Sequence, residues 1–241
     1  MAHGAPDFYG TSPQGLVHRV ADLAELAARL KSPDTFDRRG NVLFMDSFDN
    51  GGSGWTFLAS GGVAAGYALA DPVHNGGVSI GISTDAVAGA ISSWYKYIPI
   101  PLLSRMGIEI AFGLPFDARD VIITLTIFTG AKQYIYATRW RQSAGTLAVF
   151  DNTFAYQTVA TPGALYTDGT TWYIVKMVFN PLTGYYQRII FNAVTYDVSA
   201  IPAYFTASAT SAVTQVTFQA SSNIAAARLF PFDDFIYTIN E

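Results

Sequence analysis

The sequence contains no cysteine in its 241 residues, which excludes disulfide bonds, thiolate catalysis and cysteine-ligated zinc. Charge is also scarce, because only 13% of the residues are Asp, Glu, Lys or Arg, against about 25% in an average globular domain. With a net charge of −4 and no basic cluster, the chain lacks the electrostatic footprint of nucleic-acid binding. A surface so poor in charge is weakly protected against self-association, so we expect part of it to lie against other subunits.

We also expect neither a signal peptide nor a membrane-spanning helix. Residues 1–10 lack the basic stretch and apolar run of a signal peptide. Of the longest charge-free runs, 50–70 is rich in Gly and 198–227 in Ser and Thr, and both alternate like strands, unlike a membrane-spanning helix. We therefore predict no membrane partner.

Residues 1–36 form a distinct N-terminal region, with a polar arm followed by one short amphipathic helix. Ser12 and Pro13 supply a helix start, and Lys31-Ser32-Pro33 supplies its end. One apolar stripe runs along the helix at spacings of three and four residues, formed by Leu16, Val20, Leu23, Ala27 and Leu30. A helix of this length needs a packing partner. The stripe therefore either covers an edge of the chain's own body or forms an assembly interface with another subunit.

Residues 37–241 read as one all-β domain, an antiparallel β-sandwich. Short β-rich runs are separated by turn-forming pairs such as Asn75-Gly76 and Asp168-Gly169. Strands at such short intervals indicate a sandwich of jelly-roll type. We predict them at 42–48, 63–69, 78–83, 91–98, 105–114, 121–129, 133–141, 146–150, 154–160, 172–179, 185–198, 213–220 and 229–239.

Residues typical of catalysis are few and scattered. The glutamates are Glu25, Glu109 and Glu241, so no strand carries the E-x-D-x-x-E pattern of retaining laminarinase-like enzymes. The alternative is a pair of aspartates from different strands. The histidines, His3, His18 and His74, fall in the arm, the helix and a turn, which does not predict a triad or a metal cluster. From these residues we predict that the chain is not an enzyme.

Two segments carry a resemblance to known families. Asp46-Ser47-Phe48-Asp49 with the glycine-rich turn ending at Trp55 resembles the opening of jelly-roll carbohydrate-binding modules, and Phe232–Ile236 resembles their closing strand. Residues 171–197 resemble a hairpin of concanavalin-like lectins and laminin-G domains. The arm, the helix and the low-charge sandwich together resemble phage virion proteins. These resemblances imply a jelly-roll, concanavalin-like fold.

The same resemblance implies a place for a metal ion. In such jelly rolls the first and last strands are neighbours, so Asp46, Asp49, Asp233 and Asp234 would converge. Several carboxylates at one place suit a structural Ca²⁺ ion. The alternative is that Asp46 and Asp49 cap a turn while Asp233 and Asp234 are solvated or paired with arginines. We predict no other cofactor.

A sugar platform is a further possibility, because exposed aromatic rings bind carbohydrate faces. In the run from Trp94 to Tyr97, alternation places Trp94 and Lys96 on one face and Tyr95 and Tyr97 on the other. One pair is expected to be exposed, which makes Trp94, Tyr95 and Tyr97 the candidate ligand-binding residues.

Together these observations predict a non-enzymatic structural subunit of a larger assembly, with a virion decoration protein as the specific hypothesis. Its partners would be other structural subunits in a homo-oligomer, and its location the virion. The alternative is a carbohydrate-binding or adhesion module that binds glycans outside the cell or on its surface. A third interpretation is a concanavalin-like glycoside hydrolase that uses Glu109.

Overall fold

A computed structural model of the protein describes residues 40–59, 65–74, 76–84, 87–99, 103–224 and 226–241. These residues contain sixteen β-strands. In chain order the strands are β1 (Asn41–Asp46), β2 (Thr56–Ala59), β3 (Ala65–Leu69), β4 (Ser79–Ser83), β5 (Ser92–Ile98), β6 (Met106–Gly113), β7 (Ala118–Phe128), β8 (Lys132–Arg141), β9 (Thr146–Phe150), β10 (Tyr156–Ala160), β11 (Trp172–Asn180), β12 (Tyr185–Phe191), β13 (Val194–Asp197), β14 (Tyr204–Ala207), β15 (Val213–Ser222) and β16 (Leu229–Ile239).

The strands form two antiparallel sheets of eight strands each. Sheet A has the order β13-β12-β11-β6-β16-β4-β3, with β1 also paired to β16. Sheet B has the order β10-β9-β8-β7-β15-β5-β2, with β14 also paired to β8. The prediction of an all-β antiparallel sandwich is confirmed.

The last strand, β16, organises sheet A. One of its sides pairs with β6, and the other pairs first with β4 and then with β1. The first and last strands of the sandwich are therefore neighbours, with Asp46 opposite Phe235. The register of β16 against β6 shifts between Asp233 and Ile236, and Asp234 has a left-handed backbone with φ of 52°. Such a bulge redirects side chains and bends the strand.

Alternating side chains build the core between the sheets. In β15, Val216, Phe218 and Ala220 belong to the hydrophobic core, and the residues between them are half-buried. The pattern follows from the two-residue period of a strand, which sends successive side chains to opposite faces. The outward-facing residues of the sheets are therefore free to be polar.

A cluster of aromatic rings joins the sheets at the centre of this core. The ring of Phe218, from sheet B, lies 5.0 Å from Trp55, 5.7 Å from Phe232 and 5.4 Å from Phe235. Phe232 and Phe235 come from β16 of sheet A. Offset and edge-to-face contacts of this kind stabilise a core beyond the area that they bury.

A buried hydroxyl group makes a second connection between the sheets. Tyr186 of β12 accepts a hydrogen bond from the Ala137 amide at 2.9 Å and donates one to the Phe150 carbonyl at 2.8 Å. Burial raises the pKa of Tyr186 far above its usual range. The phenol therefore stays neutral and fixes the position of β12 over β8 and β9.

The strand predictions differ from the structure in three places. The predicted strand 185–198 is two strands, because Asn192 turns the chain with φ of 52°. Two strands of four residues each, β2 and β14, were not predicted.

Among the residues described, no helix is long and apolar enough to cross a membrane.

The N-terminal predictions lie outside the described residues. They comprise the domain boundary at residue 36, the helix, and the interface stripe of Leu16, Val20, Leu23, Ala27 and Leu30. The assembly role of residues 1–36 therefore stays a prediction, as do the homo-oligomer and the virion location.

Replacing Phe218 by Ala tests the role of the ring cluster. The change leaves a cavity among three rings, and we expect the free energy of unfolding to fall by about 3–5 kcal/mol. Chemical denaturation followed by tryptophan fluorescence measures it. The control is Phe116→Ala, which removes a ring that is 69% exposed and should change stability by less than about 0.5 kcal/mol. Equal losses in the two variants would contradict the central role of Phe218.

Candidate functional site

The outward face of sheet B carries a strip of uncharged polar side chains. Gln215, Thr217 and Gln219 alternate with the core residues of β15. Thr126 and Thr124 of β7 lie directly opposite Gln215 and Thr217. Residues opposite one another in neighbouring strands share a face. We call these five residues the polar strip.

Two tyrosines border the polar strip on β5. Tyr95 lies opposite Thr217 and Tyr97 lies opposite Gln215. Their rings are 5.7 Å apart in an edge-to-face arrangement, and Tyr97 is 56% exposed. The pair therefore presents flat apolar surface next to hydroxyl and amide groups.

Trp94 has to be removed from the predicted platform. Its side chain is only 8% exposed, its indole nitrogen donates a hydrogen bond to the Gly81 carbonyl at 2.9 Å, and its ring contacts Phe57. Lys96 also points inward, with its Nζ atom 5.6 Å from the centre of the Trp55 ring. The alternation was predicted, but a sequence does not say which of the two faces meets the core.

A second group of rings lies on the same face across the sheet. Phe150 contacts Phe154, Tyr156 and Tyr204 at ring separations of 5.2, 5.1 and 5.8 Å. Tyr204 lies opposite Ile135, which itself lies opposite Thr126 of the polar strip. The polar strip thus runs between two aromatic borders, one on β5 and one formed by β9, β10 and β14. Four strand spacings of about 4.8 Å separate β5 from β9 and from β14, which both pair with β8, or roughly 19 Å.

Arginines add positive charge beside the second border. Arg141 Nε donates to Asp120 Oδ1 at 3.0 Å, and Arg119 Nε lies 3.5 Å from Asp120 Oδ2. The hydrogen bond to Asp120 raises the pKa of Arg141. Arg139 instead lies over the ring of Tyr156, with its Cζ atom 4.0 Å from the ring centre. Burial raises the pKa of Tyr156 to about 12, so this phenol is neutral.

In sheet A, the loop that contains His74, between β3 and β4, is held by Asp49, Asp233 and Asp234. His74 Nδ1 lies 2.6 Å from Asp234 Oδ2, and the His74 amide donates to Asp233 at 2.9 Å. Further along the loop, the Gly77 amide donates to Asp49 at 2.7 Å and thereby lowers the pKa of Asp49. The ring of Trp172 lies 5.4 Å from that of His74.

The four aspartates of the predicted Ca²⁺ site have these and similar protein partners. Asp46 accepts hydrogen bonds from the Trp55 indole and the Phe48 amide, both at 2.9 Å. Among the described residues, no group of three or more His, Cys, Asp or Glu side chains is arranged to hold a metal ion. The metal site stays a prediction.

Sheet A also contains a row of paired charges. Lys176, only 2% exposed, lies 2.6 Å from Glu241, which also contacts Arg188 at 2.9 Å. Glu109, the candidate glycosidase residue, lies opposite Lys176 in the strand register. Buried, mutually paired charges of this kind are arranged as a structural network.

A cleft of about 310 Å³ opens at one edge of the sandwich. Its lining comes from β10 of sheet B and from the turn after β13 of sheet A, with Gln157, Thr158, Asp197 and Ser199 as its polar members. Asp197 accepts a hydrogen bond from the Ser199 amide at 2.9 Å, which lowers the pKa of Asp197. Its carboxylate therefore stabilises the turn.

Comparison with known proteins identifies the fold. No protein-family model and no curated protein matches the sequence, but solved structures do. A Bacillus subtilis protein of unknown function with a galectin-like fold matches with a TM-score of 0.53 at 11% identity, over 83% of this chain and 97% of that chain. The fold is a galectin-like β-sandwich. The resemblance of the sequence to jelly-roll carbohydrate-binding sandwiches is thus confirmed at the level of fold.

Two enzymes share this galectin-like sandwich. An endo-β-1,4-glucuronan lyase from the fungus Trichoderma reesei matches with a TM-score of 0.53 at 12% identity, over 83% of this chain and 96% of the lyase. An alginate lyase in complex with an alginate trisaccharide matches with a TM-score of 0.51 at 14% identity, over 82% of this chain and 98% of the lyase.

These two matches correct the expectation that the chain is not an enzyme. That expectation was wrong because it tested the sandwich only for the residues of glycosidases and of triad hydrolases. Lyases use the same fold over nearly their whole length. The scattered glutamates therefore bear only on the retaining glycosidase reaction, whereas the two matches are enzymes of another reaction class.

Several residues of these sites were missed in the sequence. The polar strip was visible as regularly spaced Gln and Thr residues within the strand 213–220. The pairs Arg139–Tyr156 and His74–Asp234 carry no local signal, because the members of the second pair are 160 residues apart.

Replacing Asp234 by Asn tests how firmly the His74 loop is held. The variant keeps the side-chain shape but loses the charge that strengthens the hydrogen bond to His74, so we expect the free energy of unfolding to fall by about 1–3 kcal/mol. Thermal and chemical denaturation measure the change. The control is Asp71→Asn, since Asp71 is exposed in the same loop. A loss no larger than the control's would show that the contact does not hold the loop.

Proposed function

We propose that the sandwich binds a carbohydrate on the outward face of sheet B. The observation that carries the proposal is the pair of the exposed Tyr97 and the half-buried Tyr95 beside the polar strip. Sugar rings have apolar C–H faces that pack on aromatic rings, and their hydroxyl groups need hydrogen-bond partners of both kinds. Gln and Thr side chains supply donors and acceptors without charge.

The second aromatic border extends this surface. A chain of sugars lying across the polar strip would meet Tyr95 and Tyr97 at one side and Tyr156 and Tyr204 at the other. Rings on rigid strands lose little conformational freedom on binding. The face therefore suits an extended polysaccharide better than a single free sugar.

The fold comparison supports the same class of ligand. The galectin-like sandwich is shared with a lyase of glucuronan and with a lyase crystallised with an alginate trisaccharide. At 12% and 14% identity this likeness concerns the fold, so the proposal depends on the chemistry of the face itself.

Replacing Tyr97 by Ala tests this function. Binding of soluble polysaccharides to the full chain is measured by affinity electrophoresis or calorimetry. Loss of one stacking ring should weaken binding by about tenfold or more, since aromatic contacts contribute about 0.5–1.5 kcal/mol beyond their buried area. Tyr67→Ala is the matched control, because Tyr67 is 48% exposed on β3 of the other sheet. If wild-type protein binds no polysaccharide, or if Tyr97→Ala binds as well as wild type, the proposal fails.

Proton transfer at His74 is a second candidate function. Asp234 holds Nδ1 of the imidazole at 2.6 Å, an arrangement that orients a histidine whose other nitrogen acts as a general base. Within the described part of the chain, no hydrogen bond to Nε2 of His74 is found. Asp234 also has a left-handed backbone, and such strain is found at functional sites.

His74→Ala tests this second candidate. Wild-type protein is incubated with alginate, polyglucuronate and neutral polysaccharides, and cleavage is followed by the release of new chain ends. If His74 is the general base, the variant should lose activity by about 10²-fold or more, while binding at the face of sheet B is unchanged. Activity that survives the substitution would exclude His74 as the base, and the Asp71→Asn variant controls for changes in the loop.

A further inference from the structure

We infer that Arg139, lying on Tyr156, is the receptor for the acidic group of an anionic sugar, with a uronic acid carboxylate as its ligand. This inference rests on the proposed function, because it names the class of carbohydrate that the face of sheet B would bind. It adds one requirement to carbohydrate binding, namely a negative charge on the sugar at the second aromatic border.

The first argument is the unfilled bonding capacity of Arg139. Its Nε atom is buried and has no hydrogen-bond partner. The described residues place no carboxylate in ion-pair contact with its guanidinium, whose contact is the ring of Tyr156 at 4.0 Å. A guanidinium carries five N–H donors in a fixed planar fork. A buried donor without a partner costs stability, and the half-buried Arg139 side chain leaves its remaining N–H donors able to meet an acceptor from outside the chain.

The second argument is the local excess of positive charge. Within the described residues, the cluster contains Arg119, Arg139 and Arg141 but a single carboxylate, Asp120. Asp120 already contacts Arg141 and Arg119. Burial lowers the pKa of Arg139, and the charge of Arg141 lowers it further. The negative charge of an anion bound here would offset both the cost of burying the Arg139 charge and its repulsion by Arg141.

The third argument is preorganisation. The ring of Tyr156 supports the guanidinium from one side by cation–π contact, and Tyr156 in turn packs on Phe150 at 5.1 Å. A guanidinium fixed in a plane matches the two oxygens of a carboxylate better than a lysine would. The neighbouring rings of Phe154, 68% exposed, and Tyr204 offer apolar surface to the sugar ring that bears the acid.

A simpler interpretation is that Arg139 merely covers Tyr156 with its aliphatic stem, as long cationic side chains do. Under that interpretation, Arg139 contributes to folding, and its replacement changes the affinity for all ligands by the same factor. Under ours, its replacement changes the preference between charged and neutral sugars. The two interpretations therefore predict different ligand specificities for a variant that lacks Arg139.

The test compares ligands and variants in the full-length chain. Calorimetry measures the binding of oligoglucuronate, of the same oligomer after reduction of its carboxylates to alcohols, and of a sulfated neutral oligomer. The variants are Arg139→Gln and, as the matched control, Arg105→Gln, since Arg105 is exposed at the end of sheet A. Thermal denaturation establishes that both variants fold.

We expect wild-type protein to bind the oligoglucuronate at least about tenfold more tightly than the reduced oligomer, and added salt to narrow the difference. Arg139→Gln should lose this preference while still binding the reduced oligomer, and Arg105→Gln should keep it. A preference that persists in Arg139→Gln would overturn the inference, as would tighter binding of the sulfated oligomer than of the oligoglucuronate.

The outcomes also separate this inference from the proposed function. Equal binding of charged and neutral oligomers by wild-type protein would overturn the role of Arg139 as a receptor for anionic sugars and leave the proposal of carbohydrate binding intact. Binding of none of the three oligomers, nor of any other polysaccharide, would overturn both.

Discussion

The stacking of Phe218 between the two sheets is the interaction on which the rest of the structure depends. Its ring meets Phe232 and Phe235 of the closing strand as well as Trp55. Once these rings occupy the inner faces, strand alternation sends the residues between them outward. The three polar-strip residues of β15 therefore face outward as a direct consequence of the alternation that turns Phe218 inward. The core and the candidate binding face are thus formed by alternate residues of the same strand.

The closing strand combines a second pair of roles. The side of β16 that does not pair with β6 changes partner from β4 to β1. The strand also bulges at Asp233 and Asp234. At this bulge the two aspartates point to the loop of His74. A φ of 52° is uncommon outside glycine, and the contacts of Asp234 with the His74 loop help to maintain it. The bulge thus gives sheet A a polar site within an otherwise regular strand.

Much of the fold was accessible from the sequence, because alternation and turn residues are local signals. Most strands and the sandwich followed from them, whereas the pairing of the first strand with the last followed from the resemblance to jelly-roll modules. The direction of Trp94 did not, since a period of two residues defines two faces without saying which is buried. The anchoring of His74 by Asp234 and the stacking of Arg139 on Tyr156 depend on strand order, which only the folded chain establishes.

The low charge of the sequence acquires a second explanation from the structure. A surface built from Gln, Thr and Tyr suits assembly with other subunits, and it equally suits the hydroxyl-rich surface of a polysaccharide. On the face of sheet B these uncharged residues form an ordered strip between two aromatic borders, with charge concentrated at one end around Arg139. Such an arrangement favours ligand recognition at this face over a general role in packing.

The central claim is that the outward face of sheet B binds carbohydrate, and nuclear magnetic resonance of the side chains tests it most directly. An oligoglucuronate is titrated into isotope-labelled protein while the side-chain amides of Gln215 and Gln219 and the Nε–H groups of Arg139 and Arg188 are observed. The account predicts that the signals of Gln215, Gln219 and Arg139 shift with a common saturation curve, whereas Arg188 of sheet A does not respond. Shifts confined to Arg188 would contradict it, as would the absence of any shift with both the oligoglucuronate and its carboxylate-reduced form.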